Sequence, residues 1–177
     1  MKDRQFLRTL AVISAALLCS THLEAQVPRA GNHVSLRCLG NIAGPRYLDG
    51  RTANGTVGLA PNMSPEFTGT RWRVVRLSDE VVELKCLGNI EGPRWLDGRT
   101  ADGTVGLAPN TSGRFTGTRW QVVQAGYNDP NIVELRCLGD IDGPRWLNGR
   151  TADGTVGIAP TTEPPYTGTK WEMIPVD

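Results

Sequence analysis

Histidine is scarce in this chain, with His22 and His33 the only two among 177 residues. No serine–histidine constellation, zinc-ligand spacing or glycine-rich phosphate loop accompanies them. That argues against an enzyme and against a bound metal or cofactor. An excess of charge of either sign is also lacking: 19 Lys and Arg stand against 18 Asp and Glu. Without a basic cluster, neither nucleic acid nor an anionic membrane is an expected partner. Beyond the N-terminus no apolar run approaches the ~20 residues of a membrane span. No segment shows a helical period with caps and a face.

The first 25 residues read as a secretory signal peptide. Lys2, Arg4 and Arg8 form a basic start, Thr9 to Cys19 an apolar stretch, and Leu23-Glu24-Ala25 a small-residue cleavage position. The competing reading, a lipid-modified Cys19, needs small residues before the cysteine, where Leu17 and Leu18 stand. A mature chain from about residue 26 to 177, secreted or periplasmic, is expected. It carries 16 basic and 16 acidic residues, an even balance.

What is present is a threefold repeat. Cys38 to Trp72, Cys86 to Trp120 and Cys137 to Trp171 are near-copies, spaced first by 48 and then by 51 residues. The units run over about 34–80, 81–131 and 132–177. The extra three residues fall in the turn-rich connector Ala125 to Asn131. Such self-similarity outranks every local signal in deciding the fold. Each unit holds one cysteine, and three is an odd number, so at least one thiol is free or bonded to another molecule. Alternation of Val34, Leu36 and Cys38, repeated at Val82, Leu84, Cys86 and at Val133, Leu135, Cys137, marks the thiols as small core hydrophobes. A site of three thiolates for a metal has no supporting spacing.

Within each unit the period is two, the period of strands. In the middle copy this predicts strands at 82–87, 94–97 (extending towards 100), 104–108 and 119–123. Asn54-Gly55, Asp102-Gly103 and Asp153-Gly154 predict hairpin turns in which both residues take positive φ. Pro109 stops the third strand. Twelve short strands make the chain all-β. A three- or six-bladed propeller is an architectural alternative, but three blades are fewer than the usual four to eight.

The pattern G-x-R-[YW]-L-D-G-x(4)-G-x-V-x-L-x-P, closing on Trp72 or Trp120, resembles the repeat of β-trefoil proteins; the third copy carries Asn148 and Ile158 at two of its positions. It is similar in particular to ricin-type lectin domains and to actinohivin-like antiviral lectins. The resemblance spans nearly all of 26–177 and implies a six-stranded barrel capped by three hairpins, with pseudo-threefold symmetry. It also implies that the Trp of Gly-Thr-Arg-Trp and Gly-Thr-Lys-Trp is core, as its apolar area suggests. In such lectins an Asp near this point of the repeat binds sugar, which carries over to Asp49 and Asp97, with Asn148 in the third copy. The chain departs from the families at Gly58, Gly106 and Gly157, where actinohivin-like repeats have Tyr. It departs again at Gly69, Gly117 and Gly168, where ricin-type repeats have Asn.

Residues two apart on a strand share a face. Tyr47 with Asp49, Trp95 with Asp97 and Trp146 with Asn148 therefore pair an apolar plate with a hydroxyl acceptor, the two properties a sugar ring asks for. Alternatives for the aspartates are a backbone-capping turn residue or a partner for Arg51 or Arg99 on the same face. Six arginines, Arg46, Arg94, Arg145 and Arg51, Arg99, Arg150, recur at equivalent places beside acids, as a neutralised surface would. The sequons at Asn54, Asn62 and Asn110 matter only where the source glycosylates. The reading is a secreted, lectin-like carbohydrate-binding module with up to three weak equivalent sites and a glycan or glycoconjugate as partner. The alternative is a protein-interaction or inhibitor-like module acting through a loop at 62–66, 110–114 or 161–165.

Overall fold

The computed structural model describes residues 32–177. The leader expected over 1–25 lies outside the described residues, and so does the cleavage point. Twelve strands follow in four sets. The first strand of each unit is β1 (His33–Cys38), β5 (Val81–Cys86) or β9 (Ile132–Cys137). The second is β2 (Tyr47–Arg51), β6 (Trp95–Arg99) or β10 (Trp146–Arg150). The third is β3 (Thr56–Ala60), β7 (Thr104–Ala108) or β11 (Thr155–Ala159). The fourth is β4 (Trp72–Arg76), β8 (Trp120–Gln124) or β12 (Lys170–Val176). The all-β expectation is met, with strand ends within two residues of those predicted in the middle copy. A 3-10 turn at each Thr-Gly-Thr, beginning at Thr68, Thr116 and Thr167, precedes the fourth strand.

All the strands join one antiparallel sheet. First and fourth strands close a ring in which β1 pairs with β4, β4 with β5, β5 with β8, β8 with β9, β9 with β12 and β12 with β1. Second and third strands form three hairpins. Their third strands also pair with one another, Thr56 opposite Gly106, Gly157 opposite Thr104 and Thr155 opposite Gly58. Independent propeller blades would keep each unit's strands apart. Here every unit is stitched to the next.

The core lies inside this ring and follows the alternation. Val34, Leu36, Cys38 and their counterparts are fully buried, as are Leu48, Leu96 and Leu147. The three thiols are free. Trp72, Trp120 and Trp171 are fully buried too, and their indole N–H groups donate to the carbonyls of Leu48, Leu96 and Leu147, each at 3.0 Å. At ~25 cal/mol per Å² and roughly 200 Å² per indole, each ring contributes on the order of 5 kcal/mol as an upper estimate. The hydrogen bond keeps the one polar atom of the ring from being stranded.

The hairpin turns differ from the two-residue form expected. Arg51 pairs with Thr56, so four residues form the loop, and Gly55 N–H donates to Arg51 O at 2.9 Å. Only Gly55 takes positive φ, at 72°. Asn54 stays at negative φ because its Oδ1 accepts from the Thr56 N–H at 3.1 Å and from the Thr56 hydroxyl at 2.7 Å. Asp102 with Thr104 and Asp153 with Thr155 close their loops the same way. Among the described residues no helix is long and apolar enough to cross a membrane.

A Cβ at Gly98 would stand 2.7 Å from Cys137 Sγ and 2.9 Å from the Trp120 ring. Gly98→Ala is therefore expected to cost about 1–3 kcal/mol through overpacking. A lowered urea midpoint with an unchanged slope checks this.

Candidate functional site

Asp49, Asp97 and Asn148 sit mid-strand, opposite Gly58, Gly106 and Gly157. They are 9%, 8% and 7% exposed. The capping-residue alternative does not describe the aspartates, since Asn54, Asp102 and Asp153 do that work in the loops. The pairing alternative does. Arg51 Nε lies 3.7 Å from Asp49 Oδ2, and Arg99 Nε lies 4.0 Å from Asp97 Oδ2. Burial pushes both carboxyls above their ordinary range, and the neighbouring guanidinium only partly offsets this.

The glycines at the two departures from the resembled families make room for this pair. A Cβ at Gly106 would stand 2.8 Å from the Arg99 guanidinium, so the arginine occupies the space above a strand that has no side chain there. A Cβ at Gly117 would fall on the carbonyl oxygen of Gly98 and stand 2.7 Å from Asp97 Oδ1. Gly58 with Arg51, and Gly69 with Asp49, repeat the arrangement.

Two clefts of matching composition open beside these residues. One, of about 160 Å³, is lined by Asp49, Arg51, Phe67, Thr68, Asn89 and Ile90 among others. Its third-repeat counterpart, of about 330 Å³, is lined by Asn148, Arg150, Tyr166, Thr167 and Ile42 among others. Each cleft thus joins a hairpin of one repeat to the first loop of the next. The join is held by hydroxyls: Thr52 donates to Ile90 O and Thr151 to Ile42 O, both at 2.6 Å. Thr68 reaches Asn89 Oδ1 at 3.0 Å and Thr167 reaches Asn41 Oδ1 at 2.8 Å. In the second repeat Thr100 donates to Ile141 O at 2.6 Å in the same manner.

The aromatic residue facing these clefts is Phe67 or Tyr166. Tyr47 and Trp146 do not line them. Tyr47, Trp95 and Trp146 are half-buried, and each stands opposite a cation on the neighbouring strand: Arg37, Lys85 or Arg136. The Lys85 ammonium lies 5.4 Å from the centre of the Trp95 ring, a cation–π distance. The plate expected of Trp95 is therefore partly covered. One sequence signal pointed to the alternative plate: an aromatic residue, Phe67, Phe115 or Tyr166, stands five positions before every core Trp.

The Gly-Pro-Arg arginines have a structural duty. Arg94 donates to the carbonyls of Cys86, Gly88 and Ile90 at 3.2, 2.6 and 3.0 Å. Arg46 and Arg145 clamp their own loops in the same way. A Cβ at Gly92 would fall on the Thr52 carbonyl oxygen, which explains the glycine before this proline. Among the described residues, Arg145 is the one of the three with an acid within 4 Å, Asp142 at 3.8 Å.

The largest cavity described, about 470 Å³, was not signalled by the alternating pattern. It lies beside the inserted connector and the segment 162–167, which overlaps the variable loop of the alternative reading. No group of three or more His, Cys, Asp or Glu among the described residues could hold a metal ion. No protein-family model matches the chain, and no curated protein matches its sequence.

The raised carboxyls of Asp49 and Asp97 have a stability consequence. A folded-state value above the ordinary 3.8 means the native state holds the proton more tightly than the unfolded chain. These groups therefore lower stability as pH rises from about 3.8 through their folded values, and the penalty is complete above them. Asn148 shows that an amide fits the place, its Oδ1 approaching Gly168 as Asp97 approaches Gly117. Asp97→Asn is expected to raise the urea midpoint at pH 7, with the gain shrinking towards pH 3.8. A gain that does not change with pH would show that the carboxylate's charge is not the cause.

Proposed function

We propose that the chain is a β-trefoil of the lectin-like kind, a carbohydrate-binding module with threefold-related sites and no catalytic activity. The fold reading is supported by the six-strand ring and the three mutually paired hairpins. The observation that carries the functional reading is the recurrence of one cleft. In two repeats an Asp or Asn, an Arg, a half-buried aromatic ring and a hydroxyl converge at equivalent positions.

A sugar ring offers an apolar C–H face and a rim of hydroxyls. Phe67 or Tyr166 supplies the plate, and Asp49 or Asn148 supplies an acceptor. Asp49 is held by Arg51, so that its second oxygen is oriented without being neutralised by a short ion pair. Tyr47, Trp95 and Trp146 stand two residues earlier on the same strands, and Tyr47 and Trp146 lie outside the linings of the two clefts. Asp97 and Phe115 furnish the same chemistry in the second repeat. A binding role fits the acids better than catalysis does: Asp49 and Asp97 have like surroundings and shift in the same direction. Acid–base chemistry needs two groups driven apart.

Small open clefts imply weak single sites and strength through linkage. On a multivalent glycan surface, Asp49→Ala with Asp97→Ala is expected to lower the apparent affinity by roughly 10²-fold or more. Affinity of the remaining site for the monovalent sugar should change little. A glycan array followed by surface binding of the double variant measures both. Absence of binding to every glycan class defeats the reading.

A further inference from the structure

The cavity of about 470 Å³ lies between β9, β12 and residues 162–167, within the ~300–1,000 Å³ range of small-molecule sites. Ala125, the first residue of the three-residue-longer connector, forms part of its wall. Gln124 pins that connector, its amide donating to the carbonyls of Gly126 and Asp129 at 2.9 and 2.6 Å. Here the chain departs most from its own threefold pattern.

The floor of the cavity holds a carboxylate with no close cation. Glu134 is only 9% exposed. Among the described residues no ion pair within 4 Å includes it, although Lys170 stands opposite it in the strand pairing. The hydroxyls of Thr162 and Thr169 flank it, and the Glu163 carboxylate adds a second negative group. Burying a carboxylate without a counter-charge is costly.

The repeats supply an internal control for whether the fold needs that acid. The corresponding residue of the first repeat is Ser35, fully buried, whose hydroxyl donates to the Thr70 carbonyl at 2.8 Å. A hydroxyl is thus sufficient for the structure at this place. In the second repeat the residue is Glu83, whose surroundings hold Arg119 as those of Glu134 hold Lys170, and among the described residues no ion pair within 4 Å includes it either. In the third repeat the acid lines a cavity of about 470 Å³, together with a lysine that forms no ion pair with it among the described residues.

We propose that this cavity is a second ligand site, which takes a primary ammonium carried on a hydroxylated ring, an amino sugar, with Glu134 as its ion-pair partner. Two carboxylates against one ammonium favour a cationic ligand. Thr162 and Thr169, beside Glu134, supply hydroxyls for ring substituents, and Tyr166 lines the same cavity. Tyr166 and Thr167 also line the Asn148 cleft, so the two sites lie on either side of one segment. The proposal does not depend on carbohydrate binding at the threefold-related clefts.

The test is amide-resolved NMR titration of the full chain with glucosamine, glucose, N-acetylglucosamine and putrescine. Glucosamine is expected to shift the resonances of Glu134, Thr162, Thr169 and Lys170, with glucose and N-acetylglucosamine leaving them in place. Glu134→Ser, which reproduces the first repeat, should weaken glucosamine at this cavity at least tenfold, and Asp79→Ala, at an exposed surface acid outside the clefts, should not. Glu134→Gln keeps the shape, removes the charge and must show the same loss, which preserves the test if the serine variant fails to fold. Equal shifts with glucose, or full binding by either Glu134 variant, overturn the proposal. Equal binding of putrescine overturns the amino-sugar assignment.

Discussion

Everything in this molecule depends on a small knot that straddles each repeat boundary. The thiol of Cys86, from the second repeat, lies against the Gly50 carbonyl at 3.3 Å, beside the Trp72 ring of the first. Cys137 meets Gly98 and Trp120, and Cys38 meets Gly149 and Trp171. Each indole is tied to the second strand of its own unit, and each thiol caps the hairpin of the unit before. No repeat can complete its core alone. The ring closes where the third unit returns to the first, β12 pairing with β1.

That closure explains where the clefts are. The same boundary that joins hairpin to neighbouring loop in the core leaves a gap at the surface, bridged by Thr52 to Ile90 and Thr151 to Ile42. Arg46, Arg94 and Arg145 stiffen those loops by occupying their carbonyls. The glycines opposite the aspartates serve the same end. They cost the fold conformational entropy, and they admit an arginine to a place where a Cβ would crowd it. A buried carboxylate with a raised affinity for its proton is the electrostatic cost of that geometry, and it recurs at Asp49 and Asp97.

Departures from threefold order are as informative as the order itself. The longer connector at Ala125, the Asn148 substitution and Tyr166 in place of Phe all fall around the third repeat, where both larger cavities lie. Copies under a common structural demand keep what the core requires. Ser35, Glu83 and Glu134 show a position where the core requires little, and there the chemistry is free to diverge.

Strand number, strand faces and core membership were legible in the sequence, because alternation and repetition are properties of the chain itself. Val34, Leu36 and Cys38 could be assigned inward from spacing, and Trp72 from the resemblance and its apolar area, and so could their counterparts. The turn positions were also legible, though not their form: Asn54 and Asp102 bind the threonine two residues on, which lengthens the loop to four residues. The site was legible only in its strand half. Asp49 and Asp97 could be singled out, but which ring faces them depends on a segment some twenty residues away in the chain, and which cation covers Trp95 depends on a neighbouring strand. The duty of Arg94 and the surroundings of Glu134 were decided in the same way, by elements brought together only on folding. Periodicity reports which side of its own strand a residue takes. It carries no information on what another strand places against it, and that was left to the tertiary structure.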